Sequence, residues 1–194
     1  MFAEIIKMKN SLLLLTLFLV TFTVTAQTRI KDGSYVTTSG DTIICKIVTT
    51  PTIMGKINFS FLAKRLTIIQ NDEKKKFSPE DIKSFVVKDE QGVNHRFVSL
   101  PGDNSRFFNE VIKGNLSLYN LYSNHPYDGS MSILPIMVKD EKIVYLNVIN
   151  PKQRIGNLIS DCPELFKEWT ETNKYSQKDK EAIVRAYNKC ENKK

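Results

Sequence analysis

The feature that most constrains the fold is a series of short segments, from about residue 34 to residue 148, in which apolar and polar residues alternate. Turn-forming residues separate these segments at regular intervals, which is typical of strands joined by hairpins. In the clearest hairpin, Tyr35–Thr38 and Thr42–Val48 flank a turn in which Gly40 supplies a permissive backbone. The pattern therefore predicts an antiparallel sheet or an open barrel of short strands.

The same alternation predicts the remaining strands, which are Ile57–Leu62, Arg65–Ile69, Ser84–Val87, Val93–Leu100, two arms within residues 106–122, Met131–Val138 and Lys142–Val148. Residues 106–122 also fit a helix, but the alternation that follows Gly114 favours a hairpin. Pro135 predicts an edge or bulged strand, because proline cannot donate a hydrogen bond to a neighbouring strand. Between the strands, Lys74–Lys76 predicts a solvated charged turn and Ser78–Asp81 predicts a single helical turn.

At Asn150 the spacing of apolar residues changes from two to about 3.6, which is typical of helices. Asn150, followed by a proline, predicts the cap of a first helix. The second helix begins at Asp161 or at Cys162, because a capping box with Glu164 favours the former and a proline directly after Cys162 favours the latter. A third helix opens at Ser176 and carries the apolar stripe Ile183, Ala186, Tyr187 and Cys190.

The domain organisation follows from these elements. We expect an α+β fold in which residues 27–149 form a β-rich body and residues 150–194 form a tail of two to three helices packed on it. The roughly 168 residues of the two parts together fit a single domain with a substantial hydrophobic core.

Residues 1–26 have the pattern of a cleaved secretory signal. Lys7 and Lys9 precede an apolar stretch, and Val24-Thr25-Ala26 offers the small residues after which signal peptidase cuts. A membrane anchor would need about 20 apolar residues, whereas this stretch is shorter and contains threonines. Whether translation starts at Met1 or Met8, the same mature chain results. We therefore expect an exported, periplasmic or secreted protein that does not span the membrane after cleavage.

The positive charge of the chain does not predict a nucleic-acid ligand. The formal net charge is +7, and removal of residues 1–26 leaves 26 basic and 20 acidic residues. Residues 27–150 and residues 151–194 each have a net charge of +3, so the excess is spread evenly. A polyanion-binding face would instead gather basic side chains on one surface.

Three cysteines follow the signal sequence, so not all of them can pair. Cys162 lies at the start of the second predicted helix and Cys190 near the end of the third, and an antiparallel helix pair would bring them together. An oxidising compartment would then favour a disulfide between them. Cys45 alternates with two isoleucines on one strand face, where a cysteine is most often a small buried hydrophobe.

The sequence offers no catalytic, cofactor or metal site. His95 and His125 lie thirty positions apart without ligand spacing around them, and neither has an identifiable partner. A nucleophilic Cys45 with one of these histidines is the enzymatic alternative, against which its expected burial argues. The paired acids Glu80-Asp81, Asp89-Glu90 and Asp140-Glu141 are explained by turns and capping. We expect that alanine at either histidine leaves the biological role intact.

Several short motifs, taken in order, suggest a relationship. They are Thr25-Ala26-Gln27, Gly40-Asp41-Thr42-Ile43 before Lys46-Ile47, Gly114 to Tyr119, Asp161-Cys162-Pro163-Glu164-Leu165 and Tyr187-Asn188-Lys189-Cys190. With these motifs the chain resembles a group of uncharacterised exported proteins of Bacteroidota-type bacteria. The resemblance implies an envelope or secreted setting, a β-rich body with a helical tail, and pairing of Cys162 with Cys190. A glycine is more usual in that group where this chain has Cys45, which argues against an inherited role for this cysteine.

These observations favour an exported non-catalytic binding or accessory protein of the envelope, whose partner is an envelope protein or a glycan. The alternative is a small hydrolase with a site that sequence motifs do not reveal. A histidine in a pocket beside an acid or a serine would favour the hydrolase. A structural part of a larger assembly would instead expose an apolar patch of several hundred Å².

Overall fold

The computed structural model describes residues 28–52, 54–146, 150–172, 174–176 and 178–191. The predicted signal peptide lies outside these residues. The strands within them are β1 Arg29–Thr37, β2 Thr42–Thr49, β3 Leu66–Gln70, β4 Glu73–Phe77, β5 Ile82–Lys88, β6 Asn94–Leu100, β7 Asp103–Ile112, β8 Leu116–Asn124, β9 Met131–Lys139 and β10 Lys142–Tyr145. The helices are α1 Phe59–Lys64, α2 Pro151–Ile159, α3 Pro163–Glu171 and α4 Lys180–Glu191. The predicted α+β class is confirmed.

All ten strands belong to one antiparallel sheet with the order β10-β9-β8-β7-β6-β5-β1-β2-β3-β4. Each strand pairs with the next in sequence except at the centre, where β1 pairs with β5 and leaves β4 at an edge. The predicted hairpin around Gly40 forms, with Tyr35 opposite Ile43. Gly40 has a φ of 106°, a conformation that costs other residues steric strain.

One predicted strand is wrong, because residues 59–64 form helix α1 instead. Asn58 caps this helix, and its side-chain oxygen accepts the backbone N–H of Ser60 at 3.1 Å. The helix lies against β3 on one side and against β7, β8 and β9 on the other, so the sheet curves around it. Leu62 and Ala63 are buried by these contacts. Alternating apolar residues fit a short helix as well as a strand, and the tertiary contacts of α1 decide between them.

The lysine run is also different from the prediction. The turn is confined to Asn71 and Asp72, both in the left-handed region that two-residue hairpin turns require. Lys74–Lys76 then belong to edge strand β4, where they pair with β3 and remain exposed. Lysines on an edge strand oppose the addition of a further chain, because the incoming strand would have to accommodate their charge.

Pro135 does not mark an edge strand. It lies in β9, which pairs with β8 along one side and with the short strand β10 along the other. The pairing with β10 ends at Ile136, opposite Tyr145. Pro135 therefore occupies the first position beyond its pairing with β10, and no strand of the described residues pairs with its missing N–H there. The predicted single turn at Ser78–Asp81 is present as one turn, closed by a 3.1 Å hydrogen bond from Asp81 N–H to the carbonyl of Ser78.

The two faces of the sheet carry separate apolar cores. The face that contacts α1 contains a cluster that includes Ile47, Phe85 and Phe97. Towards β10, the same face continues into a second cluster, covered by α2, α3 and α4. The opposite face of β6 to β10 buries a third cluster, which includes Phe108 and Ile136. Strands near the β10 edge are thus buried on both faces, while β1 and β2 expose one face to solvent.

Helix α3 begins at Pro163, so Cys162 and not Asp161 is its cap residue. The Asp161 carboxylate instead accepts hydrogen bonds from Lys139 Nζ at 2.7 Å and from the Tyr187 hydroxyl at 2.8 Å. Cys162 and Cys190 form a disulfide with a Cα–Cα distance of 6.3 Å, which links the start of α3 to the end of α4. Within the described residues, no helix combines the length and the apolar character needed to cross a membrane.

Candidate functional site

The first candidate site surrounds His95, on the side of the sheet that faces α1. The hairpin between β5 and β6 places Asp89 at its turn, and His95 lies on the returning strand. The Nε2 atom of His95 is 2.9 Å from Oδ2 of Asp89. The expectation that this histidine has no partner is therefore wrong, and the partner is one that hairpin register supplies.

The Asp89 carboxylate is held in place from both sides. Its Oδ1 accepts the backbone N–H of Gln91 at 2.9 Å and that of Val93 at 2.8 Å, which closes the turn. Its Oδ2 is left for His95. The hydrogen bond with His95 contributes most to a pKa of Asp89 below the ordinary value, and the two backbone N–H groups act in the same direction, while burial opposes them. Asp89 is therefore ionised at neutral pH, and its Oδ2 accepts a hydrogen bond from His95 Nε2.

Beside His95 is a pocket of about 280 Å³, which we call the His95 pocket. It is lined by Met54, Gly55, Lys56, Ile57, Phe59, Asp89, Glu90, Gln91, His95 and Met131. The ring of Phe59 packs on His95 with 4.6 Å between centroids. Glu90 pairs with Lys31 at 3.2 Å, so this carboxylate is already neutralised. None of the described residues that line the pocket is a serine, threonine or cysteine, so these residues offer no alcohol or thiol nucleophile for acyl transfer.

The second candidate site is a groove of about 530 Å³ between α2 and α3, which we call the interhelical groove. Its lining residues are Asn150, Pro151, Lys152, Gln153, Gly156, Asn157, Phe166, Trp169 and Thr170. Gln153 and Asn157 are four positions apart, which places them on one face of α2, and Asn150 directly precedes this helix. Phe166 keeps 37% of its surface exposed, whereas Trp169 is buried.

The floor of the interhelical groove is rigidly anchored. The Trp169 Nε1–H donates to the backbone carbonyl of Lys152 at 3.0 Å, which links α3 to the first turn of α2. The Lys152 ammonium lies 5.9 Å from the centroid of the Trp169 ring. Gly156 faces Trp169, and a Cβ atom at this position would lie 3.5 Å from Trp169 Nε1, at van der Waals distance. The disulfide at Cys162 holds the start of α3, one turn before Phe166.

The other residues considered from sequence do not assemble into a site. His125 is half-exposed and pairs with Asp128 at 3.3 Å, three residues away in the same loop. Cys45 is half-buried beside the apolar cluster on the sheet face that contacts α1. Burial raises the pKa of its thiol to about 11, so little of the reactive thiolate is present at neutral pH. The described residues contain no group of three or more His, Cys, Asp or Glu side chains that could hold a metal ion.

The exposed outer face of β1 and β2 carries two large apolar side chains. Ile30 is 57% exposed and Ile44 is 88% exposed. The ion pair between Lys46 Nζ and Asp32 Oδ1, at 2.5 Å, lies between them on the same face. The apolar surface is thus interrupted by charge, which does not favour a large buried contact with another protein.

In the sequence, Leu165, Phe166 and Trp169 form the apolar face of the second predicted helix, and their spacing predicts only a packed helix. The groove results from how α2 and α3 pack, which residue spacing does not reveal. The proximity of Asp89 and His95 depends on the register of the hairpin between β5 and β6, in which Val87 lies opposite His95. Comparison of the chain with protein-family models, with curated proteins and with solved structures found no match.

Proposed function

We propose that this protein is an exported, non-catalytic binding protein of the bacterial envelope and that the interhelical groove is its ligand site. The observation that carries the proposal is the composition of the groove, in which an exposed aromatic ring lies beside uncharged amide side chains on a braced floor. Ligand sites typically combine apolar walls with a few polar groups that fix orientation. The groove has both features.

The chemistry of the lining favours a neutral glycan as the ligand. A sugar ring has an apolar C–H face that packs on an aromatic ring, and its hydroxyls need partners that both donate and accept. Asn150, Gln153 and Asn157 provide such amides, and Thr170 adds a hydroxyl. Lys152 is the single charged residue among the described lining residues, and its ammonium already lies beside the Trp169 ring. An acidic ligand would find little complementary charge.

A titration of the chain from residue 27 with neutral and acidic oligosaccharides tests this proposal. Trp169 is the sole tryptophan and lines the groove, so its fluorescence reports occupancy directly. We expect Phe166→Ala to weaken binding of neutral oligosaccharides at least tenfold. Phe61→Ala is the matched control, because Phe61 is also a partly exposed phenylalanine on a helix but lies outside the groove. Equal binding by both variants, or a preference for acidic sugars, would contradict the proposal.

Export is the second part of the proposal, and it rests on the pattern of residues 1–26. A disulfide between Cys162 and Cys190 is in keeping with an oxidising compartment. N-terminal sequencing of the protein recovered from the periplasm or medium should begin at Gln27. Recovery of an intact N-terminus from the membrane fraction would contradict this expectation.

The hydrolase alternative has one specific observation in its favour, which is the Asp89–His95 pair beside a pocket. A carboxylate that orients a histidine is also found in general-base catalysis, where the histidine activates water. Release of reducing ends from polysaccharides and hydrolysis of esters should be measured for the wild type and for His95→Gln. Turnover that His95→Gln abolishes at unchanged thermal stability would make the enzyme the better assignment.

A further inference from the structure

One imidazole and two thioether side chains, those of His95, Met54 and Met131, line the His95 pocket. We propose that the pocket binds a soft monovalent metal ion, Cu(I) or its analogue Ag(I), through His95 Nδ1 and the thioether sulfurs of Met54 and Met131. This site is separate from the interhelical groove and does not depend on the function proposed for it.

The first argument is the tautomer of His95. A metal-ligating imidazole is neutral and an ionised carboxylate only accepts hydrogen bonds, so the 2.9 Å contact with Asp89 Oδ2 places the proton of this form on Nε2. Nδ1 then carries a lone pair, and it has no hydrogen-bond partner among the described residues. A histidine whose second nitrogen donates to a carboxylate is the usual arrangement of a metal-ligating histidine. Because the turn amides hold Asp89, the ring orientation is set before any ligand binds.

The second argument is the distribution of methionines. Three methionines follow residue 26, namely Met54, Met131 and Met137, and two of them line the His95 pocket. Met131 is partly buried against the core near Phe59, whereas Met54 is 87% exposed at the rim. A methionine side chain has three rotatable bonds, so the Met54 thioether has the freedom to turn towards a bound ion. An exposed methionine also gains no burial energy that would explain its position.

The third argument concerns the type of ion. Thioether and imidazole ligands select soft ions, whereas Ca²⁺, Mg²⁺ and Zn²⁺ prefer carboxylates, thiolates or several histidines. Both carboxylates at the pocket are engaged, since Asp89 holds the turn and His95 while Glu90 pairs with Lys31. The soft ligands among the described lining residues are therefore one imidazole nitrogen and two sulfurs. The Phe59 ring lies against one side of His95, with 4.6 Å between the ring centroids.

Titration with Ag(I), which needs no reductant, tests the proposal. Cys45 is a free thiol that would itself bind Ag(I), so every protein carries Cys45→Ser. We expect one equivalent of Ag(I) to bind, with a large shift of the ¹⁵N signal of His95 Nδ1. His95→Gln, and separately the pair Met54→Leu with Met131→Leu, should each weaken binding at least tenfold.

The chain provides matched controls for both ligand types. His125→Gln removes the other histidine, and Met137→Leu replaces a methionine buried in the helix-covered core. Both controls should bind Ag(I) as the parent does. Competition with a chromophoric Cu(I) chelator, with ascorbate as the reductant, should rank the proteins in the same order. Absence of binding in the parent, equal binding by the ligand variants, or tighter binding of Zn²⁺ than of Ag(I) would overturn the proposal. None of these outcomes involves oligosaccharide binding, so the two proposals fail independently.

Discussion

Removal of the disulfide should destabilise the whole protein by an amount that follows from its position. Cys162 and Cys190 are 28 positions apart, and the loop between them contains α3 and most of α4. In the chain-entropy model, closing a loop of this length raises the free energy of the unfolded chain by about 3.5 kcal/mol. Changing both cysteines to alanine should therefore lower the free energy of unfolding by roughly 2 to 5 kcal/mol.

Two optical signals can follow the unfolding of this variant. Trp169 is the sole tryptophan and is buried between α2 and α3, so its fluorescence reports the helical tail. Far-ultraviolet circular dichroism reports the sheet. Because α4 packs on β8 and shares the core that contains Leu116 and Met137, we expect both signals to change at one urea concentration. The slope of the free energy against urea should rise, because the unfolded chain without the link is less compact and exposes more surface.

The control for the disulfide variant is Cys45→Ala, which removes a thiol without opening a loop. Wild-type protein treated with a reductant should match the double variant, because both lack the covalent link. If the free energy of unfolding of the double variant lies within about 1 kcal/mol of wild type, the reasoning is refuted, because the decrease is then smaller than the lower limit of the entropic effect. Loss of the fluorescence signal well before the circular dichroism signal would show that the tail is not part of one cooperative core.

Three further predictions concern single positions. Gly156→Ala should stabilise the protein by about 0.4–1 kcal/mol in urea unfolding, because the new Cβ fits at van der Waals distance and helix propensity improves. Gly33→Ala should instead destabilise the protein, because its Cβ would overlap the carbonyl oxygen of Val86. Burial raises the pKa of Cys45 from 9.0 to about 11, so alkylation by iodoacetamide at pH 8 should be slower than for an exposed cysteine. For the same reason, the free energy of unfolding should fall as the pH rises from 9 through 11. Burial opposes a low pKa at Asp161, but hydrogen bonds from its neighbours hold that pKa below 3.8. The free energy of unfolding should therefore fall as the pH drops below about 4, and Asp161→Asn should reduce this dependence in acid unfolding curves.

The helix α1 and the Asp89–His95 pair show where reasoning from the sequence ends. Residues 57–62 alternate as a strand would, yet residues 59–64 are helical because Asn58 caps them and because β3 and β7 to β9 surround them. Asp89 and His95 are only six residues apart, and the hairpin register brings them together. The sequence analysis explained Asp89 by the turn alone and left the histidine without a partner.

Short-range interactions that can be recognised in the sequence determine many of the hairpins and helices. The hairpins and the three C-terminal helices could be predicted because their signals act over two to four residues. These signals are glycine and asparagine at tight turns, prolines at helix starts, and a serine with an aspartate ahead of α4. The pairing of Cys162 with Cys190 followed from those helices. Tertiary structure decided the pairing of β1 with β5, the burial of both faces near β10, and the two candidate sites. These features depend on which apolar surfaces exclude water together, and that choice joins residues far apart in the chain.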